Sequence, residues 1–283
     1  MNSYRPQQFS TLPLVIKNLI IINVLFFLAS LAYQHVTGGE LSDYVGLHYP
    51  IAKQFMPYQF FTYMFMHASF SHLFFNMFAL WMFGNVLENI WGPKKFLIYF
   101  FVTGIGAALT HYAIFYFQIS PTLGAIDHYL AKPSIEAFAA FRNSQYFTIS
   151  STEMQNSFNL FASKYNELLQ SSPKQAIAES VSYMYEYREG ILNAPVVVGA
   201  SGAVFGVLLA FGMMFPNSLI YLYFFIPIKA KWFVMIYGAI ELFSGVAGME
   251  GDNVAHFAHL GGMIFGFALL YYWDIQKKKK KIF

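Results

Sequence analysis

The sequence predicts an all-α integral membrane protein, a bundle of six transmembrane helices with a helical extramembrane insertion between spans three and four. Three observations point there. Of 283 residues, 57% are hydrophobic, 20% aromatic and 11% charged, against about 25% charged in soluble domains. Six apolar segments have the length, about 20 residues, that a helix needs to cross a bilayer. Lysine and arginine fall between them with an alternating bias. There is no cysteine, so disulfides and thiolate metal sites are excluded.

Span one, Leu14–Tyr33, is long enough to cross and lacks a small-residue cleavage pattern, so it reads as an anchor rather than a signal peptide. Spans two and three are Phe61–Leu87 and Phe96–Phe117. Residues 118–195 are polar and break the series. Ser150-x-x-Glu153 has the form of a capping box, and Phe158, Phe161, Tyr165 and Leu168 follow at helical spacing. Ser172-Pro173 opens a further helix, which Gly190 can close. The aromatic and Met side chains here read as the insertion's own packing face, with recruitment of a substrate as the second reading. Span four is Val196–Phe215. Leu219–Ile228 is too short to cross and carries Pro227, with Lys229 and Lys231 after it, which makes it an interfacial connection. Spans five and six are Trp232–Gly248 and Val254–Trp273, followed by a basic tail, 274–283, with Lys277 to Lys281. Trp232 and Phe233 read as interfacial anchors before they read as a gate. The whole is one membrane domain, 1–283.

Arg5, Lys94, Lys95, Lys229, Lys231 and the C-terminal lysines all fall on one side of such a bundle. By the positive-inside rule that side is the cytoplasm, with both termini on it. The opposite loops carry Lys53, Glu250 and Asp252. With no organelle-targeting segment ahead of span one, a bacterial inner membrane is expected. The basic residues form a tail and short loops rather than a patch on a folded domain, so no nucleic-acid partner is expected. Membrane lipids are the expected neighbours.

The candidate chemistry sits in three spans. His67, His72 and Asn76 lie in span two, with His72 and Asn76 on one helix face. Polar residues at membrane depth are costly and face a cavity or the protein interior. Taken alone they are ordinary inter-helix hydrogen bonders. Span four opens Gly199-Ala-Ser201-Gly202, with Phe205 and Gly206 one turn on. Span six contains His256, His259, Gly262 and Gly266. Gly202 with Gly206, and Gly262 with Gly266, are small-xxx-small faces that let two helices approach closely. That approach is what a serine–histidine hydrogen bond of 2.6–3.2 Å requires of two short side chains. Ser201 is then a nucleophile and His259 its general base. His72, Asn76 and the Ser201 backbone N–H are the oxyanion donors, and the Phe205 ring can hold the imidazole by stacking. No acidic residue lies in the helix turns beside His259, so a dyad is expected rather than a triad.

These residues resemble the rhomboid family of intramembrane serine proteases. The likeness rests on His-x4-His-x3-Asn at His67, His72 and Asn76, on Gly-x-Ser-Gly at 199–202, and on Ala-His-x-x-Gly-x-x-x-Gly from Ala258 to Gly266. Phe83-Gly84-Asn-Val-Leu-Glu88 with Trp91-Gly92 matches the segment that closes span two. The resemblance implies a six-helix core, a water-filled cavity with the dyad below the surface, and cleavage of transmembrane protein substrates near small residues. It implies no metal or nucleotide cofactor. It selects His259 over His256 as the base and leaves His256 as a supporting polar residue. Two departures stand out. Residues 34–58 lack the Trp-Arg pair of some bacterial members, and the insertion before span four is long.

Two other readings compete. A metal transporter or metalloprotease would use the four histidines 67, 72, 256 and 259. It lacks His-Glu-x-x-His, and its nearest carboxylates, Glu88 and Glu241, fall toward helix ends. A non-catalytic rhomboid-like membrane chaperone or scaffold would keep the fold and bind transmembrane helices without turnover.

Overall fold

The computed structural model describes residues 9–149, 151–194, 196–222, 225–247 and 255–280, the last six as backbone. Arg5, Ser150, Gly248, Glu250, Asp252, Val254 and Lys281 lie outside the described residues. The chain divides into two compact units. One comprises Met1–Leu47, Pro57–His111 and Val197–Phe283, the other His48–Met56 and Tyr112–Val196.

In the first unit, α1 (Leu14–Thr37) ends at Gly38 and precedes the short helices α2 (Ser42–Val45) and α3 (Gln59–Thr62). The start of α1 is sealed by Glu88, whose two carboxylate oxygens accept from the N–H groups of Val15 and Ile16, both at 2.8 Å. A carboxylate at a helix N-terminus satisfies orphan donors and favours the helix dipole. Span two is not the continuous helix expected from hydropathy. After α3 a 3-10 turn, Tyr63–Phe65, ends in extended backbone at Met66, and α4 (Phe70–Ala79) starts afresh. Ser69 makes the new start possible, because its side chain accepts from the His72 N–H at 3.1 Å. A π-helical segment, Leu80–Gly84, then leads into α5 (Asn85–Trp91).

The next helix, α6 (Pro93–Ala131), runs through Pro121 and well past the expected end of span three at Phe117. Loss of hydrophobicity does not stop a helix. The stop comes at Lys132-Pro133, where proline disfavours helical backbone in the residue before it.

In the second unit, α7 (Ile135–Arg142), α8 (Thr152–Ser171) and α9 (Pro173–Asn193) enclose an aromatic core of Tyr129, Phe138, Phe141, Phe161, Tyr183 and Tyr187 with Ile126 and Met184. The Phe161 and Tyr183 rings stack at 4.1 Å. Phe158 and Leu168 pack against the same core. The cap of α8 is Ser151, one residue later than the capping box expected, and it accepts from the Met154 N–H. Pro173 opens α9 as expected, while Gly190 does not close it.

Back in the first unit, α10 (Ser201–Met214), α11 (Ala230–Ala247) and α12 (His256–Lys280) complete the bundle. The run 219–228 forms most of an antiparallel ribbon, β1 (Leu219–Leu222) with β2 (Ile226–Lys229). Leucine, isoleucine and tyrosine residues satisfy their backbone by pairing between the two strands. Among the described residues, four helical segments are long and apolar enough to cross a membrane: Leu14–Thr37, Phe70–Trp91, Pro93–Ala131 and Ala230–Ala247. The 14-residue α10 is apolar but shorter.

Candidate active site

Ser201 is the first residue of α10, and three contacts bring the chain to it. Leu47 and Val197 exchange both backbone hydrogen bonds, at 2.9 and 3.0 Å, and the Gly199 N–H donates to the Tyr63 carbonyl at 2.9 Å. Gly199 has φ +121°, a conformation that side chains rarely adopt. A Cβ there would also lie 2.8 Å from His72 Cε1 and 3.6 Å from Ser201 Oγ. The glycine therefore keeps open the space between the His72 ring and the serine oxygen.

The serine and histidine are in hydrogen-bond contact. Ser201 Oγ lies 2.8 Å from His259 Nε2. Their helices, α10 and α12, pack closely along one another, and at Gly262 the close approach is obligatory. A Cβ on Gly262 would collide with the Gly202 carbonyl group. The other three glycines do not answer one another across that pair, as their spacing suggested. Cβ atoms on Gly202, Gly206 and Gly266 would strike Ala107, Thr103 and Tyr99 of α6. The small-residue faces thus seat α10 and α12 on α6, and Tyr99 adds a hydrogen bond to the Gly206 carbonyl at 2.9 Å.

Phe205, one turn into α10, stacks on the His259 ring at 4.3 Å and 6°. Tyr237 and Phe233 of α11 continue the stack at 5.4 Å per step. His72 and Asn76 are on α4, and the Asn76 amide donates one hydrogen to the His72 carbonyl at 2.8 Å, leaving a second. His67 lies in the break before α4 rather than on its face, buried, with its ring 4.9 Å from that of His72 and tilted 70°.

One residue of the site was not anticipated. Glu241 is buried inside α11, not near its end, and its Oε2 lies 2.8 Å from His259 Nδ1 and 2.7 Å from His256 Nδ1. The absence of an acid in the turns beside His259 therefore did not leave the imidazole without one, because the carboxylate comes from a neighbouring helix. The available signal was Glu241 itself. A carboxylate between Ile240 and Leu242 in an apolar segment needs a partner.

Glu241, His256 and His259 are also the described residues whose donor atoms cluster tightly enough to suggest a metal. The spacing fits hydrogen bonds better. Ligands of a tetrahedral zinc, each about 2.0–2.2 Å from the ion, lie well over 3 Å apart. Here one oxygen sits 2.7 and 2.8 Å from two ring nitrogens. The four-histidine arrangement is not assembled as one cluster among the described residues, since His67 and His72 lie outside the group that Glu241, His256 and His259 form. Glu88 is spent on the start of α1.

A family model described as the rhomboid domain matches residues 54–163 and 168–274, most of the chain. "Rhomboid protein 1, mitochondrial" of Saccharomyces cerevisiae is 34% identical over 84 residues, which cover 30% of this chain and 23% of that protein. The match thus spans about a quarter of the relative's length.

Proposed function

The chain belongs to the rhomboid family, most of whose members are serine-type intramembrane proteases, and we propose that it is one of them: an intramembrane endopeptidase that hydrolyses peptide bonds in or near the transmembrane helices of other proteins. The observation that carries this is the 2.8 Å contact between Ser201 Oγ and His259 Nε2. In the reaction, His259 Nε2 takes the Ser201 proton as Oγ attacks the scissile carbonyl, and returns it to the leaving amine. The oxyanion forms beside Gly199, within reach of His72 and the Ser201 N–H, with the second Asn76 N–H completing the donor set. Ser201 opens its helix, so its N–H belongs to the four without an intrahelical partner. Water then releases the acyl group.

The short α10 and the broken span two support the same reading. Fourteen residues rise about 21 Å, less than the roughly 30 Å hydrocarbon core. Residues 66–69 and 196–200 approach the site without helical backbone. Irregular backbone at membrane depth is tolerated where it is buried in protein or lines water, and hydrolysis needs that water.

Orientation follows from charge. Lys95 lies over the Trp273 ring at 4.2 Å, so the Lys94-Lys95 junction meets the end of α12 that runs into the C-terminal lysines. We place that end in the cytoplasm of a bacterial inner membrane, with the site toward the opposite face.

The test is labelling of the purified protein by a fluorophosphonate probe, comparing wild type with Ser201→Ala and His259→Ala. Labelling in wild type alone is the expected result. Folded wild type that resists several serine-hydrolase probes would overturn the protease reading in favour of a helix-binding scaffold.

A further inference from the structure

We propose that Glu241 is a positioning residue that turns the serine–histidine pair into a Glu241–His259–Ser201 relay, with His256 holding the carboxylate in place. The inference deepens the protease reading and rests on it.

The argument begins with what a buried carboxylate needs. Glu241 is 8% exposed, on an apolar helix. Burying a charge in such surroundings is strongly unfavourable unless hydrogen-bond donors converge on it. Two do, and both are imidazole Nδ1 atoms meeting the same oxygen, Oε2. An ionised carboxylate only accepts hydrogen bonds. Both rings must therefore carry their hydrogen on Nδ1. For His259 the consequence is chemical. With Nδ1 protonated and the ring neutral, Nε2 is left with its lone pair, aimed at Ser201 Oγ. Carboxylate, imidazole and hydroxyl then stand in the order, and with the tautomer, that proton abstraction from serine requires.

The ring is held from two directions. Glu241 fixes its rotation through Nδ1, and the Phe205 face fixes its plane. When Nε2 takes the serine proton, the imidazolium forms 2.8 Å from the carboxylate, inside a medium where such attraction is weakly screened. Glu241 keeps its negative charge throughout and the Nδ1 hydrogen stays where it is. No further proton needs to move.

His256 has a separate part. It lies in the first turn of α12, three residues before His259, and its ring stands 87° to that of His259. It touches neither the serine nor the base nitrogen in any described contact. Its Nδ1–H occupies the second acceptor direction of Oε2, which stops the carboxylate from rotating away from His259.

The experiment uses the full chain in detergent with ¹⁵N-labelled histidine. The His259 tautomer is read from its ring ¹⁵N shifts in wild type, Glu241→Gln, Glu241→Asp and His256→Gln, each first checked for a wild-type melting transition. Hydrolysis of a dye-quenched transmembrane-segment peptide is followed in parallel. Wild type and Glu241→Asp should show the Nδ1–H form. Glu241→Gln presents an amide that can donate to Nδ1 and should shift His259 toward Nε2–H, the wrong tautomer. Its kcat should fall roughly 100-fold or more with KM unchanged, and Glu241→Asp should restore part of that loss. His256→Gln should cost less than Glu241→Gln. A His259 that is Nε2–H in wild type, or a Glu241→Gln enzyme with wild-type kcat, would overturn the relay. The two readings separate cleanly. Serine-dependent hydrolysis untouched by Glu241→Gln removes the relay and keeps the protease. The expected tautomers in a folded wild type that hydrolyses nothing keep the positioning and remove the protease.

Discussion

The two units of this chain are packed by opposite rules. In the unit that carries the site, large apolar side chains point outward. Leu25, Leu28, Phe74, Phe75, Ile236 and Phe243 are all exposed, while inside the bundle the glycines of α10 and α12 sit directly against the Gly202 carbonyl, Ala107, Thr103 and Tyr99. In the unit of α7, α8 and α9 the aromatic residues turn inward and stack. The difference is the one expected between helices packed in lipid and helices packed in water. Lipid offers no hydrophobic drive between helices, so association depends on close backbone approach and hydrogen bonds. Water drives aromatic area inside.

The comparison can be broken at three places. Gly262→Val should have the largest effect, because its side chain must displace the Gly202 carbonyl group. The melting transition should be lost or lowered by many degrees, and with it probe labelling of Ser201. An unchanged melt would mean that backbone contact does not hold α10 and α12. Phe161→Ala should cost about 3–5 kcal/mol, read as faster amide exchange in α8 and α9. Retained protection there would show that stacking is not what holds this unit. Asn76→Ala should leave the melt alone and lower turnover roughly 10-fold or more. A stability loss without a rate loss would make Asn76 a packing residue of the bundle rather than part of its site.

The geometry of the candidate site was legible where it is written as short spacing. Ser201, His259, Phe205 and His72 come together across helices, and each was expected from a short motif or one helical turn. The fold was legible where hydropathy and helix ends coincide, as in α1 and α11. It was not where they separate. The break at Met66–Ser69 and the late start of α10 lie inside apolar runs, and α6 continues beyond one. Glu241 escaped for a related reason. Its partner His259 is 18 residues away on another helix, and no local pattern measures that distance. Glycine pairing was half legible: spacing identified the small faces, but only the packing shows that three of the four press on α6.

The seal on α1 has a consequence for biosynthesis. The Ile16 N–H and the Glu88 carboxylate that satisfies it are 72 residues apart. At translation rates of roughly 5–20 residues per second, about 4 to 14 s separate their appearance. Over that interval the head of the first helix has exposed amide hydrogens that hydrocarbon cannot satisfy, so it must rest among lipid headgroups or water. The arrival of Glu88 removes that requirement. The first helix is thus made before its seal, and its head is closed only when Glu88 has been added.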